Sequence, residues 1–199
     1  MAYVFCYPIT MNEENIGIYS NDQEWDEAND LRMQAMDNFS ELNKDKLREI
    51  DRIIVSAVII SKDGKILMGK KDPNKGGVWP NAWHIPGGGV ERGETMEQAL
   101  QREMLAEVGL DISTETVTSL AQVGHGETEK TLETGEKVWC KMEFNRFEIR
   151  IDKLASEIEV TPGEDLKELR WFSESDLPSV EQAGGGKEFF QEAGYIPKE

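Results

Sequence analysis

The chain has 199 residues, 38% hydrophobic and 31% charged, enough for one well-filled core with an extension and not requiring a second domain. Asp and Glu number 39 against 22 Lys and Arg, and the resulting formal charge of −17 opposes binding to a nucleic-acid polymer or an anionic membrane. No run approaches the roughly eighteen apolar residues of a membrane span, and the opening MAYVFCYPIT lacks a basic signal-peptide start, so the expected location is the cytoplasm.

Residues 1–19 read as short strands with turns. In residues 21–42, Trp25, Ala28, Leu31, Ala35, Phe39 and Leu42 recur at spacings of three and four, the helix period, and Asn21 with Glu24 forms a cap. Residues 1–50 are therefore expected to be an N-terminal extension built on an amphipathic helix. It would pack on the rest of the chain, residues 51–199, or on a second subunit in a homodimer. Cys6 and Cys140 are far apart and outside any Cys/His cluster, which fits neither a disulfide framework nor a zinc site.

A β-branched run at 53–60 turns at Asp63 and Gly64 and continues into Ile66, Leu67 and Met68, which predicts a hairpin. A Gly/Pro/Trp-rich loop (72–80), a short strand (83–86) and a glycine loop (87–93) come next. A helix is expected over 95–108, stopped by Gly109. Strand-like segments resume at 117–123, 138–149 and 169–172, with His125 in a loop between Gly124 and Gly126. Short helices are expected at 175–182 and 187–193. Strands on both sides of one well-marked helix, with more helices at the end, argue for a mixed sheet covered by helices on both faces.

Residues 87–110 read GGGVERGETMEQALQREMLAEVGL. On a helical wheel Met96, Leu100, Met104 and Val108 form an apolar stripe, and Glu103 and Glu107, four apart, sit together along its border. Like charges at that spacing are mildly destabilising unless an oxygen-loving cation joins them. Gly87, Gly88 and Gly89, lacking side chains, allow backbone and a diphosphate to come close. A solvated face and an ordinary tight turn are the alternative readings of these two features.

Together they resemble the Nudix box, G-x5-E-x7-R-E-U-x-E-E-x-G-U, where U is a bulky apolar residue. Gly88, Glu94, Arg102, Glu103, Glu107 and Gly109 fall at the required spacing, with Met104 and Leu110 at the apolar positions. Six fixed matches coincide by chance about once in 10⁷ placements. The flanking Trp83–Gly88 and Glu168–Phe172 stretches also look like the family's, and the resemblance covers about residues 53–177. The chain departs from the pattern at Ala106, where the first of two adjacent glutamates is usual. Alanine cannot bind metal, so fewer ions, or more weakly held ones, are expected.

The resemblance implies an α+β fold, a Nudix-type α/β/α sandwich, and a MutT-like hydrolase acting on phosphoanhydride bonds. It further implies that Glu103 and Glu107, with a carbonyl of Gly87 or Gly88, hold Mg²⁺, with Mn²⁺ able to substitute, and that Glu94 and Arg102 form a structural ion pair. The proton acceptor is expected at Glu103 or in the loop Pro162-Gly163-Glu164-Asp165, with Glu164 leading and Glu168 following. His125 is an alternative. Trp79 is the better candidate for stacking on a base and Trp83 for the core, and Lys70 or Lys71 could meet a phosphate. The first-placed substrate is a nucleoside diphosphate linked to another group such as a sugar, as in the branch resembling nucleoside diphosphate sugar hydrolases. A nucleoside triphosphate cleaved by a pyrophosphatase reaction, and a catalytically impaired nucleotide-binding module, are the alternatives.

Overall fold

A computed structural model describes residues 46–75, 79, 81–132, 134–163 and 165–198. Residues 1–45 of the expected extension, with its helix at 21–42, Cys6 and Glu164 lie outside the described residues, and residues 48–50 belong to the first strand. The chain divides into two compact units, Met1–Leu47 and Arg48–Glu199, and the described strands and helices all belong to the second.

The frame of that unit is a seven-stranded mixed sheet. The strands are β1 (Arg48–Ser61), β2 (Ile66–Lys71), β3 (Trp83–His84), β4 (Gly87–Gly89), β5 (Val117–Thr131), β6 (Lys137–Ile151) and β7 (Leu166–Phe172). The main path runs β3-β2-β1-β6-β5, with β4 added to β1 and β7 to β2. The expected hairpin is present, as Ile59 faces Leu67 and Ile60 faces Ile66. β1 starts earlier than its β-branched run, at Arg48, because it pairs in parallel with β6 from Arg48 opposite Val138 to Ser61 opposite Ile151. This partner lies about ninety residues away and leaves no local sequence signal.

β5 and β6 are fifteen residues each, longer than the sequence indicates. His125 lies within β5 opposite Glu143 and not in a loop. The glycine segment expected as a loop begins as a strand, with Gly87, Gly88 and Gly89 opposite Ser56, Val55 and Ile54.

Helix α1 (Met96–Val108) obeys its sequence signals closely. Thr95 caps its start by accepting from the Gln98 N–H, the Gln98 side chain answers the Thr95 N–H, and Gly109 closes it at φ 70°. Ala99, Leu100, Met104 and Val108 pack on one sheet face against Val55, Ala57, Ile59, Leu67, Phe147, Ile149 and Leu166. The opposite face carries Val58, Ile60, Ile66, Met68 and Phe172 under Trp83, Leu177, Phe189 and Phe190. The last two belong to helix α2 (Gly186–Glu192). The other expected C-terminal helix shrinks to a 3₁₀ turn, Leu177–Ser179, with proline in its first turn. Among the described residues no helix is long and apolar enough to cross a membrane. Cys140 is buried with a free thiol.

Candidate functional site

Three consecutive glycines have no strand propensity of their own, so their place in the sheet needs a tertiary cause. A Cβ built at Gly87 would lie 2.1 Å from the Val55 carbonyl oxygen, one at Gly88 2.3 Å from the Glu103 carboxylate, and one at Gly89 1.9 Å from Arg52 Nη2. Only glycine lets β4 lie against β1 while a carboxylate from α1 presses on one face and a guanidinium on the other.

The ladder also fixes where the carbonyls go. Ala57 N–H donates to the Pro86 oxygen and Val90 N–H to that of Ile53, so with Val55 opposite Gly88 the N–H and carbonyl of Gly88 are both spent on Val55. Gly89's carbonyl accepts from Arg102 Nη2 at 2.9 Å. Gly87's carbonyl faces away from β1, which favours it over Gly88 as a backbone oxygen donor.

Arg102 ties the site together. Its Nε and Nη2 donate to the two Glu94 oxygens at 2.8 and 3.0 Å, and its Nη1 donates to Glu103 Oε1 at 2.7 Å. Glu94 also accepts from the Glu91 N–H at 2.9 Å. The hydrogen bonds from Arg102, joined by that from Glu91, hold the Glu94 carboxyl down at about 2. The expected ion pair therefore joins the loop to the helix and orients Glu103 as well.

Glu107 has the opposite electrostatic setting. It accepts from the Gly87 N–H at 2.9 Å, yet burial above all, with the negative charges of Glu103 and Asp165, pushes its carboxyl up to about 7 against the pull of Gly87 and Lys71. Carboxylates crowded at a buried edge are the donor set a divalent cation relieves. Among the described residues no three His, Cys, Asp or Glu side chains gather as a ready-made metal site. The fit is therefore to an open site of two carboxylates and the Gly87 carbonyl, completed by water or substrate.

The surrounding loops separate the remaining candidates. Lys71, past a register shift at the end of β2, acts on Glu107. Lys70 turns the other way, its Nζ 5.6 Å from the Trp83 ring centre. Trp83 is core, 6% exposed and edge-on to Phe172. Trp79 is partly exposed, and a Cβ at Gly184 would lie 2.3 Å from its indole, so it packs beside the segment leading into α2. His125 is exposed on β5. Glu168 pairs with Arg170 at 2.5 Å.

Two features of the site have no counterpart in the sequence pattern. Gly163 donates to the Glu107 carbonyl at 2.8 Å, and a Cβ there would lie 2.1 Å from the Ala106 oxygen, so the absence of a side chain seats this loop on the last turn of α1. That turn includes Ala106, and the seating brings Asp165 into range of Glu107. His84 on β3 donates from Nδ1 to the Ile85 carbonyl at 3.0 Å, while its Nε2 is buried with no hydrogen-bond partner among the described residues. Burial lowers its pKa, so the ring is neutral near pH 7. A Gly-x-Asp pattern is too common a turn composition to mark Gly163.

The NUDIX domain family model matches residues 51–193, and the chain belongs to the NUDIX family. Within it, the chain is similar to the nucleoside triphosphatase NudI of Escherichia coli K12, 33% identical over 119 residues that cover 60% of this chain and 80% of the relative. Two solved structures share the fold. The MutT protein of Methanosarcina mazei has a TM-score of 0.55 at 20% identity, covering 74% of this chain and 96% of its own. The dihydroneopterin triphosphate pyrophosphohydrolase of E. coli has a TM-score of 0.54 at 18% identity, covering 70% and 92%. The protein is thus a MutT-like hydrolase of phosphoanhydride bonds, in a family whose enzymes act on small nucleotides and generally use divalent metal ions.

Proposed function

We propose that the protein is a Mg²⁺-dependent hydrolase that splits a nucleoside triphosphate into a nucleoside monophosphate and pyrophosphate. The observation that carries the chemistry is the pairing of Glu103 and Glu107 on the α1 side of the glycine strand, one held by Arg102 and the other by the Gly87 N–H. The 33% identity to a relative named for nucleoside triphosphate hydrolysis favours this substrate over the diphosphate derivative placed first from the sequence. A binding module without turnover is disfavoured, because every motif residue except position 106 is present.

Glu103, Glu107 and the Gly87 carbonyl would hold the cation. Mg²⁺ bound there would neutralise the bridging phosphates and make water a better nucleophile, with no covalent enzyme intermediate. Arg102 and Glu94 fix the angle of Glu103, because a carboxylate accepting a hydrogen bond at 2.7 Å cannot swing freely. Glu103 is committed to Arg102 and the cation, so proton acceptance is assigned to the loop seated by Gly163, with Glu164 as the proposed acceptor. Lys71 would contact a phosphate.

The test is incubation of the purified protein with Mg²⁺ and a panel of nucleoside triphosphates and nucleoside diphosphate sugars, with products identified by mass spectrometry. Monophosphate plus pyrophosphate, lost in Glu103→Gln, is the expected result. Monophosphate plus sugar phosphate would restore the diphosphate reading, and no product from any compound would remove hydrolysis altogether.

A further inference from the structure

Acidic residues outnumber basic ones 39 to 22, so a cation on this chain has no shortage of partners. Arg48, Lys62, Lys65, Arg102, Lys137, Lys141, Arg150 and Arg170 each reach a carboxylate within 3.2 Å. Arg52, Arg92 and Lys130 are among the cations that do not, and neither Arg52 nor Lys130 has a hydrogen-bond or ion-pair partner among the described residues.

They nevertheless stand close together. Arg52 acts on Lys130, which burial and that neighbouring charge shift downward, and both act on the thiol of Cys140 on the strand between them. Two like charges thus line one cavity on strands that flank the buried, uncharged Cys140, with Asp51 also in range of its thiol. Such an arrangement costs free energy unless an anion visits it.

Its position relative to the metal-binding edge is fixed by two adjacent glycines. The Cβ direction of Gly88 runs into Glu103, and that of Gly89 runs into the Arg52 guanidinium. β4 therefore separates the carboxylates on the α1 side from Arg52 on the other, at neighbouring positions of one strand. Lys71 is in electrostatic range of both Glu107 and Lys130. Arg52 and Lys130 line an open cavity of about 740 Å³ with Arg92, Asp51 and Glu91, three cations against two carboxylates among the described residues. A cavity of this size admits a small nucleotide.

We infer that Arg52 and Lys130 bind the anionic end of the substrate that extends past the metal-held phosphates, and so select a triphosphate over a diphosphate carrying an uncharged sugar. This rests on the nucleotide-hydrolase reading above and deepens it. A planar guanidinium laid on Gly89 offers parallel N–H donors to phosphate oxygens, and Lys130 adds a point charge.

The test compares wild type with Arg52→Gln, Lys130→Gln and the conservative Arg52→Lys. Steady-state kinetics would use each nucleoside triphosphate of the panel and a nucleoside diphosphate hexose, and calorimetry would use inorganic pyrophosphate with Mg²⁺ and Mn²⁺ alone. The loss of one charge-assisted contact predicts a rise of about tenfold in KM for triphosphate and in Kd for pyrophosphate with Arg52→Gln. A smaller rise is expected with Lys130→Gln and partial recovery with Arg52→Lys, with Mn²⁺ affinity and melting temperature unchanged. Triphosphate KM and pyrophosphate Kd within twofold of wild type in a folded Arg52→Gln protein would overturn this inference and leave the proposed function standing. An equal KM rise for the diphosphate hexose would overturn the selectivity. Failure of the wild type to turn over any triphosphate would overturn both readings.

Discussion

Two arginines meet Gly89 from different directions, and the contrast between them shows how this chain uses positive charge. Arg102 spends its guanidinium on Glu94, Glu103 and the Gly89 carbonyl. Arg52 lies on the opposite side of the glycine strand with no partner among the described residues. A saturated guanidinium is a brace, because every bond it makes fixes another part of the site. An unsaturated one in an acidic protein is held in reserve for a ligand. The two sides of β4 should therefore fail differently when they are altered.

The largest effect belongs to the carboxylate side. Glu103→Gln should lower kcat at least about a hundredfold, because a bound cation supplies several kcal/mol of transition-state stabilisation. Mn²⁺ titration should show weakened binding alongside the lost turnover. Arg102→Met should come next, with a loss of roughly tenfold to a hundredfold in activity, as expected when the group orienting a ligand is removed. Its melting temperature should also fall, since Glu94 and Glu103 both lose a donor. A comparable loss from Arg52→Gln in both Mn²⁺ affinity and melting temperature would erase the distinction between the two arginines.

A sharper comparison uses the adjacent glycines. Gly88→Ala should push on Glu103 and lower metal affinity. Gly89→Ala should push on the guanidinium of Arg52 and raise the triphosphate KM by about tenfold, with metal affinity retained. If both variants change metal affinity equally, β4 does not partition the site.

The smallest effect concerns the brace alone. The folded-state pKa of Glu94 lies below its unfolded value, so its ionised form contributes stability above about pH 4.5 that is lost as the pH falls toward about 2. The melting-temperature difference between wild type and Glu94→Gln should be full at pH 7 and shrink progressively below pH 4.5. A constant difference across that range would mean that charge is not what Glu94 contributes.

The part of this site that is legible in the sequence is the part held by neighbours along the chain. Helix α1 carries its own cap, stripe and stop signal, and Arg102, Glu103 and Glu107 are fixed by spacing on it, with Glu94 just before its cap. The hairpin of β1 and β2 is legible because Asp63 and Gly64 mark its turn between apolar runs. The parts that are not legible depend on distant residues. Gly87–Gly89 has the composition of a loop and becomes a strand only because β1 accepts it. His125 reads as a loop residue because two glycines flank it, whereas pairing with β6 extends the strand through all three. Lys70 and Lys71 are the same residue side by side and diverge at a register shift against β7. Arg52 gives no signal, since an unpaired charge can be recognised only once its surroundings are known.

The parallel ladder between Arg48–Ser61 and β6 closes a loop of about ninety residues that contains the entire metal-binding segment. Local contacts can form α1 early, but the glycine strand has its final place only when β1 is complete on both edges. The entropy of that closure must be met first, which places this fold among the slower ones of its size. During synthesis the helix bearing Glu103 and Glu107 should thus stay undocked at least until residue 151 has emerged, and the loop that Gly163 seats on its last turn joins later still, so the catalyst is assembled late in folding.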